Sequence, residues 1–329
     1  MKLKENYFIM NYFTLFFGVL VLMVVGCKMD DKIAEEISKV KVEIDVSRFE
    51  REFAQAEDKD IPVLKKKYPY LFPEQYSDSV WVQKLNDSLQ VEILQEVGQA
   101  FPDFNTEQEE LERLFKHIKY YFPKAKAPKV ITLISDVDYH NRVIFADSLL
   151  LLSLDNYLGP SHKFYQGISS YIAAGLDKEL LASDVCSAWA KTVIPVPEDR
   201  SFLSQLIYYG KELYLKDVIM PFKSDFNKIG YSSEQLDWAI ENEDYIWRYF
   251  IERELLYSTD YGLRARFLDP APFSKFRLTL DNETPGRIGR FVGWQIVRAF
   301  MQNNKVGLDE MLSLPEEELF KKSGYKPKK

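Results

Sequence analysis

Three histidines, two cysteines and a scatter of carboxylates are the residues from which this chain could build chemistry. A helical zinc site needs two imidazoles one turn apart and a carboxylate nearby, as in H-E-x-x-H. His117, His140 and His162 lie far apart and none has a second imidazole four residues on, so counting excludes such a site. Cys186 could act as a nucleophile beside an imidazole. It falls instead on an apolar helical stripe with Val185 and Trp189, where a free cysteine behaves as a small buried hydrophobe. Asp136, Asp138, His140 and Asn141 gather oxygen and nitrogen ligands in one loop, but without the glycine and distal glutamate of an EF-hand. Turn-making is the simpler role of such Asx residues. Glu241, Glu243 and Asp244 are candidates for the paired carboxylates of a glycoside hydrolase. Glu243 is spaced to face inward with Ile240 and Trp247, where Arg264, Arg266, Arg287 or Arg290 could pair with it. The glycines of Pro285 to Gly293 do not follow G-x-G-x-x-G. Gly289 and Gly293, one turn apart, read as a face that lets another helix approach. These residues assign no catalytic group, no metal and no cofactor.

The other cysteine sits in a different context. Lys2 and Lys4 precede an apolar run that carries no charge from Asn11 to Val25 and ends in Val24-Val25-Gly26-Cys27. This is the basic and then hydrophobic order of an export signal, and its end resembles the lipobox of bacterial lipoproteins. Cleavage before Cys27 would leave an acylated first residue, with palmitate-type chains each held by ~0.8 kcal/mol per buried methylene. The alternative is an uncleaved span over Tyr7 to Val25, which is just long enough. Both place the remainder outside the cytoplasm.

About 300 residues follow the signal, enough for one large domain. Hydrophobic residues make up 46% and aromatics 15%, so a large core is available. A net charge of -7 argues against sequence-independent nucleic-acid binding, which needs a clustered basic face. With Cys27 acylated, Cys186 has no disulfide partner, and packing must supply the stability.

Residues 27–60 are charged and read as an acylated N-terminus and stalk, with Val42-Ile44-Val46 alternating as a short edge strand. A helix follows Asn105, with Leu111, Leu114, Phe115, Ile118 and Phe122 at helical spacing and Gln108 placed for a capping box. Pro123 and Pro128 end it. The period then changes: Val130 to Ile134, Arg142 to Phe145 and Ser148 to Leu154 read as strands, with a turn at Asp147. The rest reads as helical: one helix capped by Ser183, one from Phe202 closed by Pro221, and a long one from the Ser232/Gln235 capping box to Leu256. Its stripe is Leu236, Ile240, Trp247, Phe250 and Ile251. A last helix is opened by Thr284 and Pro285.

Three long stretches carry a family resemblance. They are DRSFLSQLIYYGKELYLKDVIMPFKSDFNKIGY from Asp199, ENEDYIWRYFIERELLYSTD from Glu241, and DPAPFSKF with ETPGRIGRFVGWQIVRAFMQNN between Asp269 and Asn304. In these the chain resembles the gliding-motility lipoprotein B family of gliding Bacteroidota. That family in turn resembles zinc peptidases of the gluzincin type, whose metal helix follows a sheet edge. Here the matching helix is Asp184 to Ala190, which has neither histidine nor glutamate, with the glycine-bearing helix expected beside it. The resemblance implies an α+β, predominantly helical fold in which a small sheet, about residues 130–155, is packed by a C-terminal helical region. It also implies one peptidase-like domain over 61–329 behind a signal peptide at 1–26, with no catalytic metal. The implied function is a lipid-anchored envelope component of the motility and secretion machinery, acting as a scaffold or binding protein beside other envelope proteins. A carboxylate hydrolase and a peptide- or glycan-binding module are the alternatives.

Replacing Cys27 with Ser should abolish acylation and leave uncleaved precursor, because the thiol is the acceptor nucleophile. Metabolic labelling with a clickable fatty acid reads this directly, and a Ser variant that still labels refutes the lipoprotein assignment.

Overall fold

The computed structural model describes residues 32–279 and 281–328. The signal segment, the alternative membrane span and Cys27 lie outside the described residues. Among those described, no helix is long and apolar enough to cross a membrane.

The first part of the described chain runs from α1 (32–38) through β1 (Val46–Arg48), α2 (Phe49–Ala54), α3 (Ile61–Lys67), α4 (Asp78–Leu85) and α5 (Ser88–Ala100) to α6 (Asn105–Tyr121). Then come β2 (Lys129–Leu133), β3 (Val143–Ala146) and β4 (Leu149–Ser153). Helices follow: α7 (Ser170–Ala173), α8 (Leu181–Ala190), α9 (Phe202–Ile219), α10 (Asp225–Ile229), α11 (Ser233–Glu241), α12 (Glu243–Glu252) and α13 (Gly262–Phe267). The last are α14 (Ile288–Asn303), α15 (Leu308–Ser313) and α16 (Glu316–Ser323). This is the expected α+β architecture, helical in the main.

The sheet has the order β1-β2-β4-β3, with β1–β2 and β2–β4 parallel and β3–β4 antiparallel. Four consecutive leucines, Leu149 to Leu152, give β4 no polar alternation because both sheet faces are covered. Val130, Leu150 and Leu152 face the main helical core, whereas Ile131, Leu149 and Leu151 meet an aromatic layer of Phe49, Tyr68 and Phe72. Phe49 packs edge-on against both of the other rings.

That layer corrects the expected stalk. Ile44 and Phe53 are buried, and β1 pairs with β2, so the packed body begins well before residue 61. A three-residue parallel strand depends on a partner more than eighty positions away (Val46 with Val130), which local periodicity does not reveal.

Other boundaries moved for local reasons. Asn105 is the first residue of α6 rather than its cap; its N–H is accepted by Asp103, and Gln108 donates to the Ile44 carbonyl instead. The capping box of Ser232 and Gln235 is present. The helix it opens breaks at Asn242, which rotates the apolar stripe to Leu236, Ala239, Ile246 and Phe250 and leaves Ile240 and Ile251 exposed. Ser183 lies inside α8, and α14 starts at Ile288. Thr284 instead braces the preceding loop, accepting from the Ser274 N–H and lying 2.7 Å from the Asp281 carbonyl.

Apolar on nearly all sides, α14 occupies the centre of the helical region, as such a helix must. It crosses α9 at backbone contact. A Cβ built on Gly293 would run into the Leu206 carbonyl, and one on Gly210 would meet the Gly293 carbonyl. The glycine helix therefore packs on α9, which itself packs on α8, rather than directly beside α8 as the peptidase resemblance implied. Charge locks the crossing further along. The Asp217 carboxylate of α9 accepts from Trp294 at 2.8 Å and from Arg298 at 2.7 and 2.8 Å on α14, and from Lys228 of α10 at 3.0 Å.

Gly293→Leu should destabilise the fold strongly. Overpacking costs ~1–3 kcal/mol in ordinary cores, and here the obstacle is backbone that cannot rotate away. The better helix propensity of leucine offsets at most ~1 kcal/mol. A urea midpoint well below wild type is expected, with Lys326→Ala unchanged; a midpoint that rises would mean the two helices are not in contact at this glycine.

Candidate binding cleft

A helix with one apolar and one polar side must turn the polar side to solvent or to a cavity. In α8, Leu181, Ala182, Val185, Cys186 and Trp189 enter the core, while Asp184, Ser187, Ala188 and Lys191 at its end face a cleft. The cleft holds about 570 Å³ and adjoins a second space of about 340 Å³ that shares its central residues. Opposite α8 stand the start of β3 with Arg142, the loop at Gly230 and Tyr231, the turn at Pro270, and Gly286 with Arg287.

Most polar groups in the cleft are already committed. Arg142 Nε donates to Asp184 at 2.7 Å, and the Tyr157 hydroxyl donates to the same carboxylate oxygen at 2.9 Å. Burial alone would pull Arg142 down, but Asp184 outweighs it and holds the guanidinium above its usual value. Burial and the same carboxylate push Tyr157 well up, so its proton stays on. Ser187 donates to Glu212 of α9 at 2.7 Å, and Lys216 stands 3.7 Å from that carboxylate. Lys216, only 4% exposed, donates to the Ser183 hydroxyl and the Lys228 carbonyl, both at 2.9 Å.

Arg287 differs. Its backbone is left-handed at φ 60°, at the N-terminal cap of α14. One nitrogen donates to the Gly230 carbonyl at 2.9 Å, while the Tyr231 hydroxyl donates back across the gap to the Gly286 carbonyl at 2.6 Å. Among the described residues no carboxylate pairs with Arg287. Burial, and then repulsion from Arg290, pull it down to about 10, so it remains charged at neutral pH.

The loop carrying Tyr139 and His140 to the cleft mouth is held from below. Asp136 and Val137 are both left-handed, a strained pair for a carboxylate and a β-branched residue. The fully buried Asp155 carboxylate restrains them, accepting from Val137 N–H at 2.6 Å and Ser135 N–H at 3.1 Å. Asp138 accepts from His140 N–H and the Asn141 amide, the turn role expected of this loop.

The residues singled out in sequence are widely dispersed. His117 is on α6 with its pKa lowered by burial, His162 contacts Glu96 at 3.4 Å, and only His140 reaches the cleft. Among the described residues no group of three or more His, Cys, Asp or Glu is placed to hold a metal. Cys186 is fully buried, and burial pushes its thiol up to about 12. Glu241 is exposed, and Asp244 pairs with Arg248. Glu243 is buried as expected, but its partner is the Tyr325 hydroxyl at 2.8 Å rather than an arginine. The carboxylates that do share a cleft, Asp184 and Glu212, escaped sequence reasoning. The polar spacing of α8 was the available signal.

Residues 30–327 match the family model of the gliding motility protein GldB. No curated protein and no solved structure matches the chain.

Burial pushes the Asp155 carboxyl up to about 6, against its backbone donors, which pull it down. The folded state therefore holds this proton more tightly than the unfolded chain. The stability it contributes is complete below about pH 4 and is lost as pH rises through about 6, to an extent of roughly 3 kcal/mol. Urea midpoints measured from pH 4 to 7 should show wild type losing ground to Asp155→Asn across that window. A constant difference would mean that Asp155 titrates normally.

Proposed function

The chain belongs to the gliding motility protein GldB family, and from that premise we propose that it works by binding rather than by catalysis. In this reading it is a lipoprotein of the cell envelope, anchored through acylated Cys27. It holds other components of the motility and secretion machinery through its folded body. The observation that carries the reading is the state of the cleft's polar groups. Asp184 is held by Arg142 and Tyr157, and Glu212 by Ser187. A general acid or base must exchange protons with a substrate, and a group held as partner to a charged neighbour is poorly placed to do so. The thiol nearest the cleft faces the opposite side of α8 and remains protonated.

The competing reading is a carboxylate hydrolase, favoured by Asp184 and Glu212 lining adjoining spaces. Glu212→Gln separates the two. It keeps the shape and the acceptor for Ser187 but cannot transfer a proton as a carboxylate does. Cells carrying Glu212→Gln at wild-type abundance should glide normally, whereas Cys27→Ser cells, whose precursor stays uncleaved and unacylated, should lose gliding. Gliding abolished by Glu212→Gln at unchanged abundance would favour the hydrolase.

A further inference from the structure

The whole chain is acidic, with a net charge of -7, yet the cleft is lined by six basic side chains against two acidic ones. Internal pairing removes part of this excess. Arg142 is matched by Asp184, Lys216 by Glu212, and Lys228 by Asp217 and Asp225. Three cations have no ion pair among the described residues: Lys191, Arg287 and Arg290. Arg290 is partly occupied, donating to the Leu268 carbonyl at 2.7 Å and lying 4.0 Å over the Tyr209 ring. Among the described residues Arg287 makes a single hydrogen bond, at 2.9 Å, and its guanidinium lies 5.7 Å from the Tyr231 ring centroid.

A partly buried guanidinium without a carboxylate partner is destabilising, and here it also rests on a left-handed backbone. Both costs fall on one residue at the wall of a cavity. The N-terminus of α14, a helix of 16 residues, adds its own positive potential at the same place. A guanidinium fork with no carboxylate partner suits an anion with planar, paired oxygens, which it binds through two parallel hydrogen bonds. The flanking Asp184 and Glu212 carboxylates favour a single negative charge over a dianion. The apolar side of the cleft, with Tyr171, Ile172 and Pro272, suits uncharged side chains next to that charge. A volume of about 570 Å³ lies within the range of small-ligand sites.

We infer that this cleft binds a peptide by its free carboxylate, which the Arg287 guanidinium grips while Lys191 and Arg290 supply the surrounding positive field. The inference rests on the binding reading above and names its ligand class.

The test uses the full-length chain in detergent, immobilised and offered a pool of random N-acetylated tetrapeptides as free acids or as C-terminal amides. Free acids should be retained at least tenfold over amides, and millimolar inorganic phosphate should not displace them. Arg287→Gln should lose that preference while its thermal midpoint stays level or rises, since a purely structural arginine would lower it. If Arg287→Gln does not fold, the exposed Lys191→Gln serves instead, with retention expected to fall about threefold. Equal retention of acids and amides, or of neither, overturns the inference, as does displacement by phosphate. None of these outcomes depends on acylation or gliding, so a negative result here leaves the motility experiments to judge the binding reading separately.

Discussion

Backbone contact between α9 and α14 is the constraint on which the rest of this structure depends. Helices normally keep side-chain distance, 8–10 Å between axes. Here Gly210 and Gly293 remove the side chains at the crossing, so each helix rests on the other's peptide groups. A contact of this kind permits almost no sliding, which fixes α9 along its length. Its outward groups then have defined destinations. Lys211, 1% exposed, reaches the Leu314 carbonyl at 2.6 Å and Glu316 at 2.8 Å, tying down the C-terminal helices. Asp217 collects Trp294, Arg298 and Lys228. Glu212 and Lys216 are presented to α8 and the cleft.

The cleft follows from that placement. α8 lies between α9 and the edge strand β3, so its polar side can face neither and opens onto the space between them. Arg142, just before β3, and Asp184 on α8 then close the join between sheet and helices with one ion pair. Partly buried pairs of this kind contribute little net stability, but breaking one is costly because it strands the other charge. They fix geometry more than they add energy. Arg287 and Arg290 stand in contrast as guanidinium groups lining the same cleft with which no carboxylate pairs among the described residues.

Strain is placed at the cleft mouth in the same economical way. The left-handed pair Asp136 and Val137 would relax if unsupported, and Asp155 supports it through backbone donors at the end of β4. The Tyr165 hydroxyl donates to the Asp155 carbonyl at 2.8 Å and accepts from Leu158 N–H at 3.0 Å, bracing the support from behind. A carboxylate buried to this degree has its pKa raised by desolvation, so the support is pH-sensitive by construction.

Local regularities carried far in this chain. The amphipathic period of α6, the β-branched run of β2 and the Ser232/Gln235 capping box depend on neighbours within a few residues, and each is where the sequence put it. The steric role of Gly293 was legible too, because two glycines one turn apart on an apolar helix have few other uses. Cysteine burial at Cys186 followed from its stripe. Tertiary structure alone decided what depends on distant partners. The pairing of β1 with β2, the choice of α9 as the glycine helix's neighbour, and the Tyr325 partner of Glu243 are set by which surfaces meet. The cleft belongs to that second group. Arg142, Asp184, Glu212 and Arg287 are spread over some 145 positions (Arg142 to Arg287). Nothing in their local sequence distinguishes a paired charge from an unpaired one, because that difference is a distance in space and not a spacing along the chain.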